Sequence, residues 1–148
     1  HGARAGEVMQ PDAVKVLIYA VRDGHLLVFD EPDFPAIELQ VPGGTVEVGE
    51  DLALAAAREF EEETGLIATA LRPLGVSDYR FEKNGRCHHH RRHYFRCEVP
   101  EAAPAEWHHV ETTPFGGGEP ICFHVSWIPI AEARKHLGYD MEALLDRL

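Results

Sequence analysis

No run of apolar residues in this 148-residue chain approaches the roughly 18 that a membrane-crossing helix needs. Cysteine is sparse. Cys87, Cys97 and Cys122 are scattered and form no C-x-x-C pair, which argues against a disulfide framework and against a cysteine-based structural zinc site. Basic charge is in deficit: 14 Lys+Arg against 25 Asp+Glu give a formal net charge of −11. So acidic a chain lacks the positive face on which a nucleic-acid polymer would lie. A small anionic substrate is still allowed, because bound cations can reverse the local field. No internal repeat, low-complexity linker or signal-peptide pattern is visible. What remains is one domain in a reducing, cytoplasmic setting, with 45 % hydrophobic residues to build its core. Residues 1–10, polar and Gly/Ala-rich from His1 onward, are expected to form a disordered or added N-terminal segment. Met9 is then a candidate native start, and residues 11–148 form the domain.

Periodicity and turn chemistry predict the order of elements. Ala13 to Val21 and Leu26 to Phe29 read as strands around Arg22-Asp23-Gly24-His25, a hairpin turn. Pro42-Gly43-Gly44 is a sharp strand-to-loop turn. A helix is predicted over Asp51 to Thr64, stopped by Gly65, with Leu52, Ala53, Ala56, Ala57 and Phe60 on its apolar stripe. Leu74 to Lys83 and Arg86 to Val99 flank Asn84-Gly85, the strongest short hairpin signal. A two-residue turn there sets Asp78 opposite Arg91 and Tyr79 opposite His90. Glu101 to Gly118 reads as irregular, Ile121 to Ile130 as a strand with Trp127 in the core, and Ala131 to Leu148 as helical with a break at Gly138. Strands, a helix, more strands and a terminal helix make an α/β pattern.

The predicted central helix carries chemistry. Glu59, Glu62 and Glu63 are spaced i, i+3, i+4, so a helix sets all three carboxylates on one face and points Glu61 elsewhere. Like charges at that spacing disfavour the helix by roughly 0.2–0.5 kcal/mol per pair. Clustered carboxylates are the hard oxygen ligands that Mg²⁺ takes alongside substrate phosphates and water. Arg58 can hold a neighbouring carboxylate through its forked donors. The ordinary alternative is a solvated acidic helix face. Chance decides between them, because Gly44, Glu50, Arg58, Glu59, Glu62, Glu63 and Gly65 fill a fixed spacing. Each residue type occurs at roughly 5–8 % of positions, so the coincidence is on the order of 10⁻⁸ per start point.

That spacing, G-x5-E-x7-R-E-U-x-E-E-x-G-U with Phe60 and Leu66 in the apolar slots, resembles the Nudix box. The resemblance implies an α/β/α sandwich with a mixed sheet and a loop-helix-loop catalytic motif. It implies metal ligation by Glu59, Glu62, Glu63 and the Gly43 carbonyl, with Mg²⁺ as the ion and Mn²⁺ as its substitute. Glu50, Gly44 and Gly65 would support the loop-helix-loop, and Arg58 would orient Glu59. The implied activity is hydrolysis of a nucleoside diphosphate linked to another moiety, nucleoside triphosphates and damaged nucleotides included. Glu59 is one candidate base. A late-loop glutamate is the other, with Glu106, Glu111 and Glu119 competing and Glu119 favoured because it directly precedes the Ile121 strand. The expected partner is the small nucleotide, with no membrane; many relatives are homodimers. A non-catalytic nucleotide sensor of the same fold is the alternative, opposed by the intact carboxylate set. Isomerase or base-excision relatives would need further elements that are not visible.

Cys87-His88-His89-His90-Arg91-Arg92-His93 is a positive island in an acidic chain. On a strand, His89, Arg91 and His93 face one way and His88, His90 and Arg92 the other. A charge-blunted edge strand explains such a run, as does a phosphate grip by Arg91 and Arg92. A zinc site is a third reading. Among aromatics, Phe34, Tyr79, Trp107 and Phe115 are candidates to sandwich a base.

Overall fold

The computed structural model describes residues 10–112 and 117–148. Seven strands run β1 Ala13–Arg22, β2 His25–Asp30, β3 Gly43–Thr45, β4 Thr69–Lys83, β5 Arg86–Glu98, β6 Glu106–Glu111 and β7 Ile121–Pro129. Helix α1 spans Leu52–Thr64 and helix α2 Ile130–His136, followed by a 3₁₀ turn at Leu145–Arg147. The order across the sheet is β4-β5-β1-β2-β7-β6, with β3 also on β1. The sheet is mixed: β1 and β5 are parallel over Ala13↔His90 to Ala20↔Cys97, and the other pairings are antiparallel. Among the described residues no helix is long and apolar enough to cross a membrane.

Strand β1 is buried on both faces, which is why it reads as a continuous apolar run rather than an alternating one. Val16, Ile18 and Ala20 meet Ala55, Ala56 and Phe60 of α1 in one core. Leu17 and Tyr19 meet Ala133, Leu137, Leu144 and Leu145 in the other. The result is an α/β/α sandwich, as expected. Both hairpin registers hold: Arg22 pairs with His25, and Asp78 with Arg91 and Tyr79 with His90. Their turns use left-handed backbone at Asp23-Gly24 and Asn84-Gly85, the geometry that matches strand twist.

Three expectations need correction. Glu101–Gly118 is not wholly irregular, since Glu106–Glu111 pairs along β7. Its alternating exposure marks an edge strand, and its histidines and glutamates masked the strand signal. The Ala131–Leu148 helix stops at His136, where Leu137 turns to extended backbone, and the left-handed Tyr139 and Asp140 keep it from resuming. The buried stripe of α1 includes Ala55 and Glu59, while Ala53 is exposed. The helix is thus rolled so that a carboxylate, and not only alanine, faces inward. Phe115 and Gly116 lie outside the described residues.

The C-terminal segment is tied down by one side chain. The buried Tyr19 hydroxyl donates to the Met141 carbonyl at 2.5 Å and accepts from Leu144 N at 3.2 Å. Tyr19→Phe strands both backbone groups, so a loss of about 1–3 kcal/mol is expected, read from urea unfolding midpoints. An unchanged midpoint would show that the hydroxyl does not hold this segment.

Candidate active site

Local rules make α1. Asp51 caps its start by accepting from Leu54 N at 3.1 Å. Gly65 closes its end at φ 78°, with its N–H donating to Glu61 O. Two β6 side chains brace the last turn from outside. Trp107 Nε1 donates to Thr64 O at 2.9 Å, and His109 Nε2 lies 2.8 Å from Glu62 O. Both meet carbonyls that the helix leaves without an internal partner.

Arg58 is the hub. Its Nε and Nη2 fork onto Glu50 at 2.8 and 2.9 Å, and Nη2 also reaches the Thr45 carbonyl at 3.2 Å. Nη1 donates to Glu59 at 2.8 Å and to Glu62 at 3.2 Å. Glu50 also accepts from Glu47 N at 3.0 Å. These contacts hold Glu50 down to about 2, the Arg58 hydrogen bonds being the main cause. The loop, the helix and two of the three carboxylates are therefore joined through one guanidinium.

The carboxylates sit where charge is unwelcome. Burial lifts Glu59 to about 7, with Glu62 and Glu111 adding to it and Arg58 opposing. Burial raises Glu63 well above the usual carboxylate range, although its Oε1 accepts from Gly43 N at 2.7 Å. Of the three late glutamates, Glu111 is the one whose charge bears on both Glu59 and Glu63; it is itself raised by burial and by Glu62. Glu106 instead pairs with His124, and Glu119 is exposed in the bend before β7.

Desolvated, mutually repelling carboxylate oxygens suit a hard divalent cation, whose charge would offset that penalty. Among the described residues no three acidic, histidine or cysteine side chains already converge on one metal position. Arg58 holds Glu59 and Glu62, and Gly43 N holds Glu63. The donor set fits a cation once one of those contacts is exchanged for it.

Beside this cluster opens a cavity of about 650 Å³. Gly43, Gly44 and Glu63 form one end, and Tyr79, Phe81, His90 and Arg92 a wall. Arg92, 5 % exposed, lies 3.9 Å over the Tyr79 ring and donates to the Tyr139 carbonyl. Burial, reinforced by Lys15 and Arg92, pushes His90 below its usual range. Three expected contacts fall elsewhere. Arg91 is on the opposite sheet face, paired with Asp78 at 3.1 Å. Trp107 braces α1 rather than the cavity. Phe34 is 56 % exposed and does not line it. Lys15 does line it, half-buried, with Nζ on Thr45 Oγ1 at 2.6 Å. Nothing local in the sequence marked Lys15, because only the β1–β3 and β1–β5 registers bring it to the site.

A carboxylate-bearing helix on a mixed sheet, clasped by one arginine beside a cavity of about 650 Å³, is the arrangement that the sequence motif implies for a pyrophosphate-cleaving hydrolase. Comparison with known proteins agrees: the NUDIX domain model matches residues 9–148, and the chain belongs to the Nudix hydrolase family. It is 30 % identical over 132 residues to an oxidized purine nucleoside triphosphate hydrolase of Danio rerio, covering 83 % of this chain and 82 % of that one. It is 32 % identical over 110 residues to the putative mutator protein MutT4 of Mycobacterium tuberculosis (strain CDC 1551 / Oshkosh), covering 71 % of this chain but 38 % of that protein. The MutT NUDIX hydrolase crystal structure from Burkholderia pseudomallei superposes with a TM-score of 0.68 at 23 % identity, covering 95 % of this chain and 99 % of that one.

Two predictions follow from the packing. A Cβ at Gly44 would overlap the Glu59 carboxylate, which can swing aside because it is the end of a flexible side chain. Gly44→Ala should therefore abolish most turnover while moving the unfolding midpoint little; a large loss of stability with activity retained per folded molecule would contradict this. Glu59 titrates near 4.5 when unfolded and about 7 when folded. Its folded form is favoured below pH 4.5 and penalised as pH rises through 7, by about 3 kcal/mol at most. In EDTA, native protein should lose stability relative to Glu59→Gln between pH 5 and 8, and Mg²⁺ at pH 8 should restore it. Parallel pH curves for the two proteins would show that Glu59 is not desolvated.

Proposed function

We propose that the chain cleaves the pyrophosphate linkage of a nucleoside triphosphate or a related nucleoside diphosphate derivative, with Mg²⁺ as its ion. The observation that carries this reading is the adjacency of the Glu59/Glu63/Glu111 cluster to the cavity lined by Arg92 and Tyr79. The Danio rerio relative's printed activity makes oxidised purine nucleoside triphosphates the first compounds to test.

Glu59, Glu62 and Glu63, with the Gly43 carbonyl, would hold the cation. A bound divalent cation supplies phosphate neutralisation and a more acidic water. The remaining work belongs to the chain. Arg58 keeps Glu59 and Glu62 facing the same point. Glu111, rather than Glu119, takes the proton of the attacking water, because it is close enough to the cluster to feel its charge and has a raised affinity for protons. Water oxygen bonds to phosphorus as the bridging oxygen leaves with the displaced phosphate group. Arg92 and Tyr79 line the substrate's seat, and Arg91 has no part in it.

The test is a Mg²⁺-supplemented panel of nucleoside triphosphates, their oxidised forms, nucleotide sugars, dinucleoside polyphosphates and ADP-ribose. Glu63→Gln and Glu111→Gln should each lower kcat by roughly 10²-fold or more, while Glu119→Gln stays near native. No turnover of any compound would refute the hydrolytic reading, and loss in Glu119→Gln with Glu111→Gln active would reverse the base assignment.

A further inference from the structure

The cavity floor is a row of side chains across three strands. Lys15 on β1 is the register partner of Thr45 on β3 and of Arg92 on β5, and Arg92 lies over the Tyr79 ring on β4. This row runs from the carboxylate cluster toward the far wall. The aromatic surfaces of that wall are largely taken by one another. Tyr79 has Arg92 near one face and stacks with Phe81 at 5.2 Å; Phe81 stacks with His88 at 4.9 Å and meets His90 edge-on at 5.0 Å. What the floor leaves open is hydrogen-bond donors. An ammonium has three donors, and Lys15 directs one at Thr45. Among the described residues no carboxylate lies within ion-pair distance of Lys15 or Arg92.

We infer that Lys15, backed by Arg92, is a specificity-determining residue that reads an oxo group on the substrate's base. The floor favours bases with a carbonyl oxygen at the purine C6 or pyrimidine C4 position, and disfavours those with an amino group there. The physical reason is sign. A carbonyl oxygen accepts from an ammonium, whereas an amino group presents donors to donors and leaves Lys15 with only its Thr45 contact. The inference rests on the proposal that this cavity seats the nucleotide, and it names which bases the site selects.

Two pairs of bases differ at the exocyclic group and in the proton on the ring nitrogen beside it: hypoxanthine against adenine, and uracil against cytosine. Binding of IMP against AMP and of UMP against CMP, measured by calorimetry in EDTA, reads the preference without turnover. Native protein should bind the oxo member of each pair about ten- to hundredfold more tightly. Lys15→Met should reduce that ratio to near one, and Lys15→Arg should keep part of it. Equal native affinities within both pairs would overturn the inference, as would a ratio that persists in a folded Lys15→Met. If Lys15→Met fails to fold, Lys15→Arg carries the test, and an undiminished ratio there would overturn the assignment to Lys15. The two readings separate cleanly. A preference seen without Mg²⁺-dependent hydrolysis of ITP or UTP would keep this inference and sink the hydrolase proposal. Hydrolysis of ITP and ATP at equal kcat/KM, with equal monophosphate affinities, would do the reverse.

Discussion

The guanidinium of Arg58 is the constraint on which the site depends. Its five donors are divided between Glu50, the Thr45 carbonyl, Glu59 and Glu62. That division links the strand before the loop, the loop itself and the helix after it. A lysine could not make the same set of contacts, since a point charge lacks the planar fork. Without the link, Glu59 and Glu62 would repel each other from the edge of a cleft they are meant to share. The fold supplies the rest of the clasp: β3 is two glycines and a threonine, Gly43 lying against the Val16 carbonyl of β1 and Gly44 against the Glu59 carboxylate.

The carboxylates are a local cost within the fold. Glu59 is buried on α1 among alanines and Phe60, where an apolar residue would pack at less cost. Arg58 offsets part of that cost. Perturbed acids in a cleft are a recurring mark of functional sites, and here the perturbation has a named cause in burial and in the neighbouring Glu62 and Glu111.

Much of this was legible in sequence where the determinants are local. The helix limits followed from Asp51 and Gly65, and the register of the long hairpin from Asn84-Gly85, so the opposite faces of Arg91 and Arg92 could be read in advance. Which face meets the cavity could not, because that depends on β5 lying parallel to β1. The placement of Glu111 has the same origin: sequence position singles out Glu119 by the strand that follows, whereas β6 pairing with β7 sets Glu111 where its charge acts on Glu59 and Glu63. Trp107 looked like a ligand wall as a loop aromatic. It sits on a strand, and its indole N–H is used on a helix carbonyl. Lys15 carried no local signal at all.

The parallel alignment of β1 with β5 has a kinetic side. Residues distant in the chain must meet before the cavity floor exists, and non-local, parallel pairings form slowly because loop closure precedes the contacts that reward it. The β4–β5 hairpin and α1 need only near neighbours. The acidic helix therefore has reason to take shape before the surface against which its buried glutamate rests. A nascent chain would spend that interval with Glu59 in water, where its charge carries no penalty.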